Sequence, residues 1–238
     1  KERDSILSTA QEQTAFLASP EVRTALSQSD FNLDLRRRDD QLSLYIALPA
    51  RYLATHGRLM RLMVTLAFTT VEARGQYKQD EGPRVLACLD EFPVLGHLPI
   101  IESAAGYMAG FGLILWSILQ DLSQLKRHYR ESWETFLGNA GLVQAFGNTD
   151  STTLDYLQKR LGQRVMLSQS ISTQGVQAGQ SSTSTGLQTV PLLHAEEVGR
   201  YFNRDSGFQL ALVAGRRPAI AQRTPWDAER DLAKLVGQ

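Results

Sequence analysis

Apolar residues along this chain follow two spacings, one typical of helices and the other of buried strands. Helical spacing predicts helices over about 5–17, from the start Ser19-Pro20-Glu21, and over about 52–74. Runs of apolar residues predict strands at 42–48, 85–89 and 113–118. Further helices are predicted near 99–108, 122–129, 131–137 and 151–161, and further strands at 142–146 and 164–167. This alternation predicts an α/β fold with a mostly parallel sheet and helices on both faces.

The C-terminal third of the chain has a more polar pattern. Residues 168–189 are rich in Ser, Thr, Gln and Gly, which predicts a mobile surface loop. Strand signals return at 208–213, pass through the turn Gly215-Arg216-Arg217-Pro218 and end near 219–221. They predict a hairpin at one edge of the sheet. Residues 226–238 predict a short amphipathic helix.

The composition is that of an ordinary folded protein and narrows the function only slightly. The 238 residues are 42% hydrophobic and 21% charged. Because 25 basic residues balance 25 acidic ones, no net field draws the whole chain to nucleic acid or to an anionic membrane. Any contact with DNA therefore needs a local basic track, for which the candidates are Arg58, Arg61, Lys126 and Arg127.

The single cysteine, Cys88, lies within the apolar run 85–89 and is predicted to be a small core residue. One cysteine excludes an internal disulfide and a thiolate metal site, which fits a reducing compartment. The chain opens on charged residues, and no apolar run approaches the roughly 20 residues that span a bilayer. Since the sequence has no initiator Met and opens in a helical pattern, we expect it to be a piece of a longer protein.

The candidate chemistry begins where the apolar run 85–89 is followed directly by Asp90 and Glu91. This is the form of a Walker B motif. Acids at the carboxyl end of a strand lie where α/β sheets bind their ligands. One carboxylate there can hold the Mg²⁺ shell while the next orients a water. The alternative is an ordinary acidic turn, which the same short pattern fits equally well.

Gln120 follows the next predicted strand, which one helical crossover connects to the first. Parallel strands joined in this way end at the same sheet edge, so we expect Gln120 to lie near Asp90 and Glu91. A neutral amide can hydrogen-bond a γ-phosphate or the attacking water without adding negative charge beside two carboxylates. The alternative is that Gln120 only caps the helix that begins at Asp121.

Four blocks of the sequence together resemble the TraG-like type IV coupling proteins. In order along the chain, they are Leu89-Asp90-Glu91-Phe92-Pro93-Val94-Leu95-Gly96, Leu115-Trp116-Ser117-Ile118-Leu119-Gln120-Asp121-Leu122-Ser123-Gln124-Leu125, Trp133-Glu134-Thr135-Phe136-Leu137-Gly138-Asn139-Ala140-Gly141 and Phe146-Gly147-Asn148-Thr149-Asp150. The blocks keep the family's order and approximate spacing over residues 85–165. Weaker similarity extends over residues 5–46 and into the turn of the C-terminal hairpin.

The resemblance implies a RecA-like P-loop NTPase motor that uses ATP and Mg²⁺. It implies Asp90 as the acid linked to Mg²⁺ through the metal's water shell, Glu91 as the water-activating acid and Gln120 as the phosphate sensor, with Asn148 as a further candidate. It also implies three regions. Residues 1–30 end an inserted all-helical domain, 31–225 form the Walker B half of the motor domain, and 226–238 form a C-terminal tail.

The resemblance further implies the cellular setting. Coupling proteins recruit DNA or protein substrates to a type IV secretion or conjugation channel, and ATP hydrolysis supports the transfer. The implied assembly is a homohexamer at the cytoplasmic face of the bacterial inner membrane, anchored by a transmembrane segment. Its implied partners are single- or double-stranded DNA, the relaxase or relaxosome, secretion effectors, type IV secretion ATPases and inner-membrane components.

Two features depart from the family pattern. No Gly-x-x-x-x-Gly-Lys-Ser/Thr segment occurs, so the chain lacks the amides and Lys that cradle the β- and γ-phosphates. In the family this loop and its strand would precede residue 1, and we predict that the chain alone binds ATP poorly and does not turn it over. Segment 106–112 also lacks the basic residue that some relatives place there. Lys126, Arg127 and Arg130 are the alternative arginine fingers, unless they form only a solvated helix end.

A truncated, non-catalytic module that binds DNA or secretion substrates is the alternative function. Retention of Asp90, Glu91 and Gln120 together argues against it, because a pure binding module has no use for all three. A dinucleotide-binding enzyme of similar architecture would need a Gly-x-Gly-x-x-Gly turn, which the sequence lacks.

Overall fold

The computed structural model describes residues 2–35, 42–79, 82–173 and 181–235. The chain groups into two compact units. The first comprises Lys1–Leu119 and Gln124–Asn139, and the second comprises Gln120–Ser123 and Ala140–Gln238. None of the helices in the described ranges is both long enough and apolar enough to cross a membrane.

Helices and strands alternate through much of the described chain, as the sequence predicts. The helices are α1 Glu2–Thr14, α2 Pro20–Ala25, α3 Leu53–Ala73, α4 Pro99–Gly106, α5 Leu122–Tyr129, α6 Trp133–Gly138, α7 Ser151–Leu161, α8 Ala195–Tyr201 and α9 Arg230–Leu235. The strands are β1 Val85–Leu89, β2 Leu113–Ser117, β3 Leu142–Ala145, β4 Gln163–Thr173, β5 Ser181–Pro191, β6 Phe208–Val213 and β7 Ala219–Gln222.

The N-terminal helices form where the local signals place them. The Ser19 side chain accepts a hydrogen bond from the Val22 N–H, and Pro20 is the first residue of α2, so the predicted cap is confirmed. Helix α3 has apolar residues at helical spacing, and the buried members of that stripe are Val64, Ala67, Phe68 and Val71. This buried stripe is what holds α3 in the first unit.

Strands β1 and β2 form the predicted parallel pair. Their register runs from Val85 opposite Leu113 to Leu89 opposite Ser117. Helix α4 connects them along the chain and packs against β2. The Ile118 N–H donates to the Leu89 carbonyl at 3.0 Å, which extends the pairing by one residue at the carboxyl ends. Both strands therefore end at the same edge of the sheet.

The prediction that β1 is buried on both faces is wrong. Burial alternates along β1 and β2, and the outward side chains include Leu86, which is 57% exposed, and Trp116, which is 50% exposed. Cys88 is also exposed, so it is not a core residue. The described part of this unit covers one face of the two-stranded sheet and leaves the other in contact with solvent. An unbroken apolar run shows that both faces are apolar, but it does not show what covers them.

The second unit departs from the prediction of a mostly parallel sheet. Its three-stranded sheet has the order β3-β6-β7 and is antiparallel throughout, with Leu142 opposite Val213 and Phe208 opposite Gln222. Strands β6 and β7 form the predicted hairpin, with Gly215 at φ 71° in its turn. The buried core of this unit contains Ala145, Leu157, Val198, Phe202, Leu210 and Leu212. Alternating elements predict a layered fold, but they fix neither the partner nor the direction of each strand.

The strand predicted at 42–48 is absent, because no described strand pairs with these residues. Their burial still alternates, and Tyr45 on the outer side is 88% exposed. The period-two pattern therefore reports which side chains face inward, whereas a strand also needs a hydrogen-bonded neighbour.

The loop predicted over 168–189 is wrong for the described residues, which belong to an antiparallel hairpin. Strands β4 and β5 pair from Gln163 opposite Pro191 to Thr173 opposite Ser181. Residues 174–180 of that prediction lie outside the described residues. Leu167 and Leu187 on this hairpin are 71% and 76% exposed. A polar composition indicates exposure, but backbone pairing does not require a buried face.

Two C-terminal helices differ from the prediction. Helix α8 has no long apolar stripe, and it begins where the His194 N–H donates to the Glu197 carboxylate at 2.8 Å. The signal that identifies it is the acidic first turn, Glu196 and Glu197. Helix α9 covers Arg230–Leu235, which is shorter than the predicted helix at 226–238, and residues 236–238 lie outside the described residues.

Candidate functional site

The carboxyl end of β1 presents two adjacent acids to solvent. Asp90 and Glu91 follow Leu89 and are both exposed. Glu91 has φ 47° and ψ 38°, a left-handed conformation that a residue with a Cβ adopts at a cost. The Val94 N–H donates to the Glu91 carbonyl at 2.9 Å and begins the 3-10 turn Phe92–Leu95. The strand therefore ends abruptly, with Glu91 at the point where the chain reverses.

A cluster of aromatic rings holds the residue after Glu91. Phe92 is 1% exposed and stacks on Phe136 with ring centroids 5.7 Å apart. Tyr129 packs edge-on against Phe136 at 4.7 Å and lies 6.0 Å from Phe92. Burial raises the pKa of the Tyr129 hydroxyl to about 12. The residue that follows the two acids is thus fixed by apolar packing.

Hydrogen bonds fix the turn that follows. The Arg61 side chain on α3 donates to the Leu95 carbonyl. His97 Nε2 lies 3.1 Å from Glu102 Oε2, and its ring packs edge-on to Tyr129 at 5.3 Å. Hydrogen bonds from Ser132 and then His97 lower the pKa of the Glu102 carboxyl. The segment from Phe92 to His97 is therefore tied to α3, to α4 and to the ring cluster.

The donor set at this edge fits a magnesium nucleotide in part. Mg²⁺ is commonly bound through one or two carboxylates together with waters and phosphate oxygens, and two exposed carboxylates at a strand end suit that requirement. The phosphates themselves need a cradle of backbone N–H groups and a Lys, and no such loop occurs in the 238 residues. The residues present therefore fit the acidic side of such a site, but not its phosphate cradle.

Gln120 follows the carboxyl end of β2 and is exposed. It lies two residues beyond Ile118, whose N–H bonds to β1. Segment Gln120–Ser123 belongs to the second unit, whereas Asp90 and Glu91 belong to the first. The meeting of the Gln120 amide with the two acids therefore stays a prediction.

The block Phe146-Gly147-Asn148-Thr149-Asp150 contacts the Gln120 segment within the second unit. Asn148 Nδ2 donates to the Gln120 carbonyl at 3.1 Å. The Leu122 N–H donates to Thr153 Oγ1 at 2.9 Å. The Asp150 side chain caps α7 by accepting from the Thr153 N–H at 2.8 Å. The structure thus gives the candidate Asn148 a defined contact with the main chain of Gln120.

Thr153 is a further residue of this segment that the sequence pattern did not predict. Thr153 is 5% exposed and is the one buried polar residue in the part of the chain that the structure describes. Thr153 lies four positions before Leu157, on the buried face of α7. Because buried polar groups are nearly always hydrogen-bonded, a polar residue on that face was the signal that could have identified it.

A family model described as Type IV secretory system Conjugative DNA transfer matches residues 1–234. The chain belongs to this family. The protein VirD4 of Rhizobium rhizogenes is 30% identical over 220 residues, which is 92% of this chain and 32% of VirD4. The conjugal transfer protein TraG of Escherichia coli is 30% identical over 248 residues, covering 94% of this chain and 38% of TraG. The chain spans about a third of the length of these curated relatives.

Solved structures of the bacterial conjugative coupling protein TrwB share the fold. The trigonal form in complex with sulphate has a TM-score of 0.64 at 15% identity, covering 90% of this chain and 51% of TrwB. TrwB in complex with the ATP analogue ADPNP has a TM-score of 0.63 at 14% identity, covering 85% of this chain and 44% of TrwB. A third TrwB structure is in complex with ADP and Mg²⁺. The chain therefore shares the mixed α/β fold of TrwB.

The candidates for an arginine finger lie at the C-terminal end of α5. Lys126 and Arg127 are exposed in the last turn of α5, and the exposed Arg130 follows at φ 44°. Cations at a helix C-terminus are favourable without any ligand, so the solvated interpretation and the arginine-finger interpretation both stay open.

The proposed basic track is already partly engaged inside the protein. Arg58 Nη2 lies 2.7 Å from Glu12 Oε1 in an ion pair, and Arg61 donates to Leu95. Of the four residues of that track, Lys126 and Arg127 are therefore the better candidates for contact with DNA.

Proposed function

We propose that this chain is the water-activating part of an ATP-driven motor in a type IV coupling protein. The observation that carries the proposal is the exposed pair Asp90 and Glu91 at the carboxyl end of β1, beside the parallel strand β2. Family membership supports it, since the matching model describes conjugative DNA transfer. The binding of ADPNP and of ADP with Mg²⁺ by TrwB, which shares the fold, supports ATP and Mg²⁺ as the cofactors.

The two acids have different tasks because of their positions. Asp90 directly continues β1 and would hold the water shell of Mg²⁺, which neutralises phosphate charge when bound. Glu91 stands at the chain reversal, where its carboxylate would accept a proton from the attacking water and orient it. Because Phe92 and the rings behind it fix the backbone, Glu91 needs little reorganisation to do so.

Gln120 would complete the sensing side of the site. Its amide can donate to a γ-phosphate oxygen or accept from the attacking water, and it adds no negative charge beside Asp90 and Glu91. The contact of Asn148 with its carbonyl supports this role, because it fixes the main chain at Gln120. Arg127 and Arg130 are the candidates for an arginine finger, each exposed near the end of α5.

The phosphate-holding half of the site would come from outside these 238 residues. No Gly-x-x-x-x-Gly-Lys-Ser/Thr segment occurs in the sequence, so the chain alone should bind ATP poorly and should not hydrolyse it. The motor would be a RecA-like domain formed by 31–225 together with that missing part. Residues 1–30 would end an inserted helical domain, and 226–238 would form a tail.

The assembled motor would work at a secretion or conjugation channel. We propose a homohexamer at the cytoplasmic face of the bacterial inner membrane that receives DNA, with a relaxase or relaxosome, or secreted protein effectors. Secretion ATPases and inner-membrane components of the channel would be its neighbours. The shared fold with TrwB and the 30% identity with VirD4 and TraG support this setting.

A non-catalytic module that binds DNA or secretion substrates is the second candidate. The observation that favours it is the lack of a phosphate-binding loop in the chain. Such a module needs no carboxylate at the end of β1, so a substitution of Glu91 would leave its binding unchanged. A substitution of Glu91 therefore distinguishes the motor from the binding module.

The test is ATP hydrolysis by the complete gene product and by its Glu91→Gln variant, with and without DNA. Because Gln keeps the shape of Glu but cannot accept the proton, we expect kcat to fall on the order of 10³-fold. Nucleotide binding, measured with a fluorescent ATP analogue, should stay within about threefold, since Asp90 and the phosphate contacts remain.

Glu134→Gln is the matched control, because Glu134 is an exposed acid on α6 in the same unit. Its kcat should equal that of the unmodified protein. Equal hydrolysis by the Glu91→Gln variant would contradict the catalytic proposal. A complete gene product that binds DNA but has no ATPase activity would favour the binding module.

A further inference from the structure

The segment Gln120–Ser123 is held at two points by side chains that follow β3. Asn148 Nδ2 donates to the Gln120 carbonyl at 3.1 Å. Two residues further on, the Leu122 N–H donates to Thr153 Oγ1 at 2.9 Å. Both contacts lie within the second unit and come from a stretch of six residues, 148–153. We call this arrangement the Gln120 clamp, formed by Asn148 and Thr153.

The contact made by Thr153 is buried and satisfies a group that has no other ready partner. Leu122 is the first residue of α5, and the first N–H groups of a helix have no acceptor within that helix. Leu122 is 6% exposed and Thr153 is 5% exposed, so water does not easily replace the hydroxyl. A Val in place of Thr153 would pack as well against its neighbours, but it would leave the Leu122 N–H buried and without a hydrogen bond.

The residues of the clamp are themselves firmly placed. The Asp150 side chain accepts from the Thr153 N–H at 2.8 Å and fixes the start of α7. Gly147, with φ 68°, donates its N–H to the Phe202 carbonyl at 2.6 Å. The Arg204 side chain lies so close that a Cβ on Gly147 would be 2.9 Å from its Cγ. The turn before Asn148 is therefore held by Phe202 and Arg204, which follow α8.

We propose that Asn148 and Thr153 are positioning residues that set the reach of the Gln120 amide. The inference rests on the proposed function, in which Gln120 contacts the γ-phosphate or the attacking water. Neither clamp residue is assigned any contact with nucleotide. They fix the main chain on both sides of Asp121, and Gln120 projects from that main chain. A displacement of about 1 Å at a catalytic group can cost on the order of 10²-fold in rate, so the clamp matters to hydrolysis.

The main test substitutes Thr153 in the complete gene product. Thr153→Val keeps the shape of the side chain and removes the acceptor, whereas Thr153→Ser keeps the hydroxyl. The matched control is Thr152→Val, the same change one residue earlier, at a half-buried position of α7. The measurements are kcat, the KM for ATP and hydrogen exchange, by mass spectrometry, of the peptide that contains Leu122.

The clamp predicts that Thr153→Val lowers kcat about 10-fold while KM stays within about twofold, because positioning acts on the bound state. Exchange at the Leu122 peptide should become faster in the same variant. Thr153→Ser and Thr152→Val should match the unmodified protein in all three measurements. Asn148→Asp, which loses the donor at a more exposed contact, should lower kcat about threefold. If Thr153→Val does not fold, the kcat of Asn148→Asp tests the positioning role instead.

A double variant separates positioning from general structural damage. If Thr153 acts through Gln120, the variant Gln120→Ala with Thr153→Val should be no slower than Gln120→Ala alone. A further drop in kcat in the double variant would overturn the inference, and so would unchanged exchange at Leu122 in Thr153→Val. Full activity of Gln120→Ala would overturn the proposed role of Gln120 together with the inference. Faster exchange in Thr153→Val would then show that the contact exists without a catalytic task.

Discussion

Strands β1 and β3 are each followed by a residue with a left-handed backbone, but the two positions carry different residues. In each, the second residue after the strand has a left-handed backbone: Glu91 at φ 47° after β1, and Gly147 at φ 68° after β3. Glycine takes this conformation without steric cost, whereas a residue with a Cβ pays about 1 kcal/mol. The residue that follows is the buried Phe92 in one turn and the hydrogen-bonding Asn148 in the other.

The difference shows what each turn is required to do. At Gly147 the missing Cβ allows the Arg204 side chain and the Phe202 carbonyl to approach, so glycine serves packing. At Glu91 a strained backbone is kept together with a carboxylate, and the ring of Phe92 is buried directly behind it. Backbone strain that persists at an exposed acid points to a functional need at Glu91, since glycine would fit the same turn more easily.

The largest expected effect is on the anchor behind Glu91. Phe92→Ala removes a ring that is 1% exposed and stacked on Phe136, so we expect the free energy of unfolding to fall by about 3 kcal/mol. Urea unfolding of the chain, followed by the fluorescence of Trp116 and Trp133 in the same unit, measures it. Val94→Ala in the same turn is the control, because that side chain is 52% exposed and its loss should change stability by less than about 0.5 kcal/mol. Similar losses in the two variants would show that the rings do not anchor the strand end.

A smaller effect is expected at the glycine turn. Gly147→Ala places a Cβ at φ 68° and 2.9 Å from Arg204 Cγ, so the free energy of unfolding should fall by about 2 kcal/mol. Unfolding of the second unit, which contains Trp226, provides the measurement. Gly141→Ala is the matched control, since nothing lies within 4 Å of a Cβ there. If both variants had the same free energy of unfolding, the close approach of Arg204 to Gly147 would not contribute to stability.

The smallest effect is expected at Glu91 itself, and its sign is opposite. Glu91→Gly relieves the left-handed strain and should raise the free energy of unfolding by up to about 1 kcal/mol, while the carboxylate that we propose activates water is lost. Glu91→Ala loses the carboxylate but keeps the Cβ, so its stability should stay near that of the unmodified chain. Denaturation curves of the two variants decide the matter. Equal stability would mean that the turn carries no strain, and the contrast with Gly147 would then disappear.

Much of the local structure could be predicted because its causes are local. The cap of α2 at Ser19 depends on residues within three positions of it, and the buried stripe of α3 depends on spacing alone. The parallel pair β1 and β2, with a helix between them, follows from the order of elements along the chain. The acids after β1 were found for the same reason, since a motif is a local arrangement of residue types.

The predictions that were wrong concern features set by residues far apart along the chain. The direction of β3 is set by β6, more than sixty positions later along the chain, and the alternation of elements does not encode that pairing. The exposed face of β1, with Leu86 and Cys88, depends on which elements cover the sheet rather than on the apolar run itself. The hairpin of β4 and β5 escaped prediction because backbone pairing leaves no hydrophobic trace in a polar segment.

By itself the sequence determined the family, the acidic pair Asp90 and Glu91, and Gln120 after the second strand, because residue types in a fixed order identify them. Only the tertiary structure decided that Glu91 occupies a left-handed turn in front of a ring cluster. Only the structure showed that Thr153 and Asn148 hold the main chain of the Gln120 segment. The physical reason is that a backbone angle and a hydrogen bond across 28 or 31 positions arise from packing between elements, which a linear pattern does not contain.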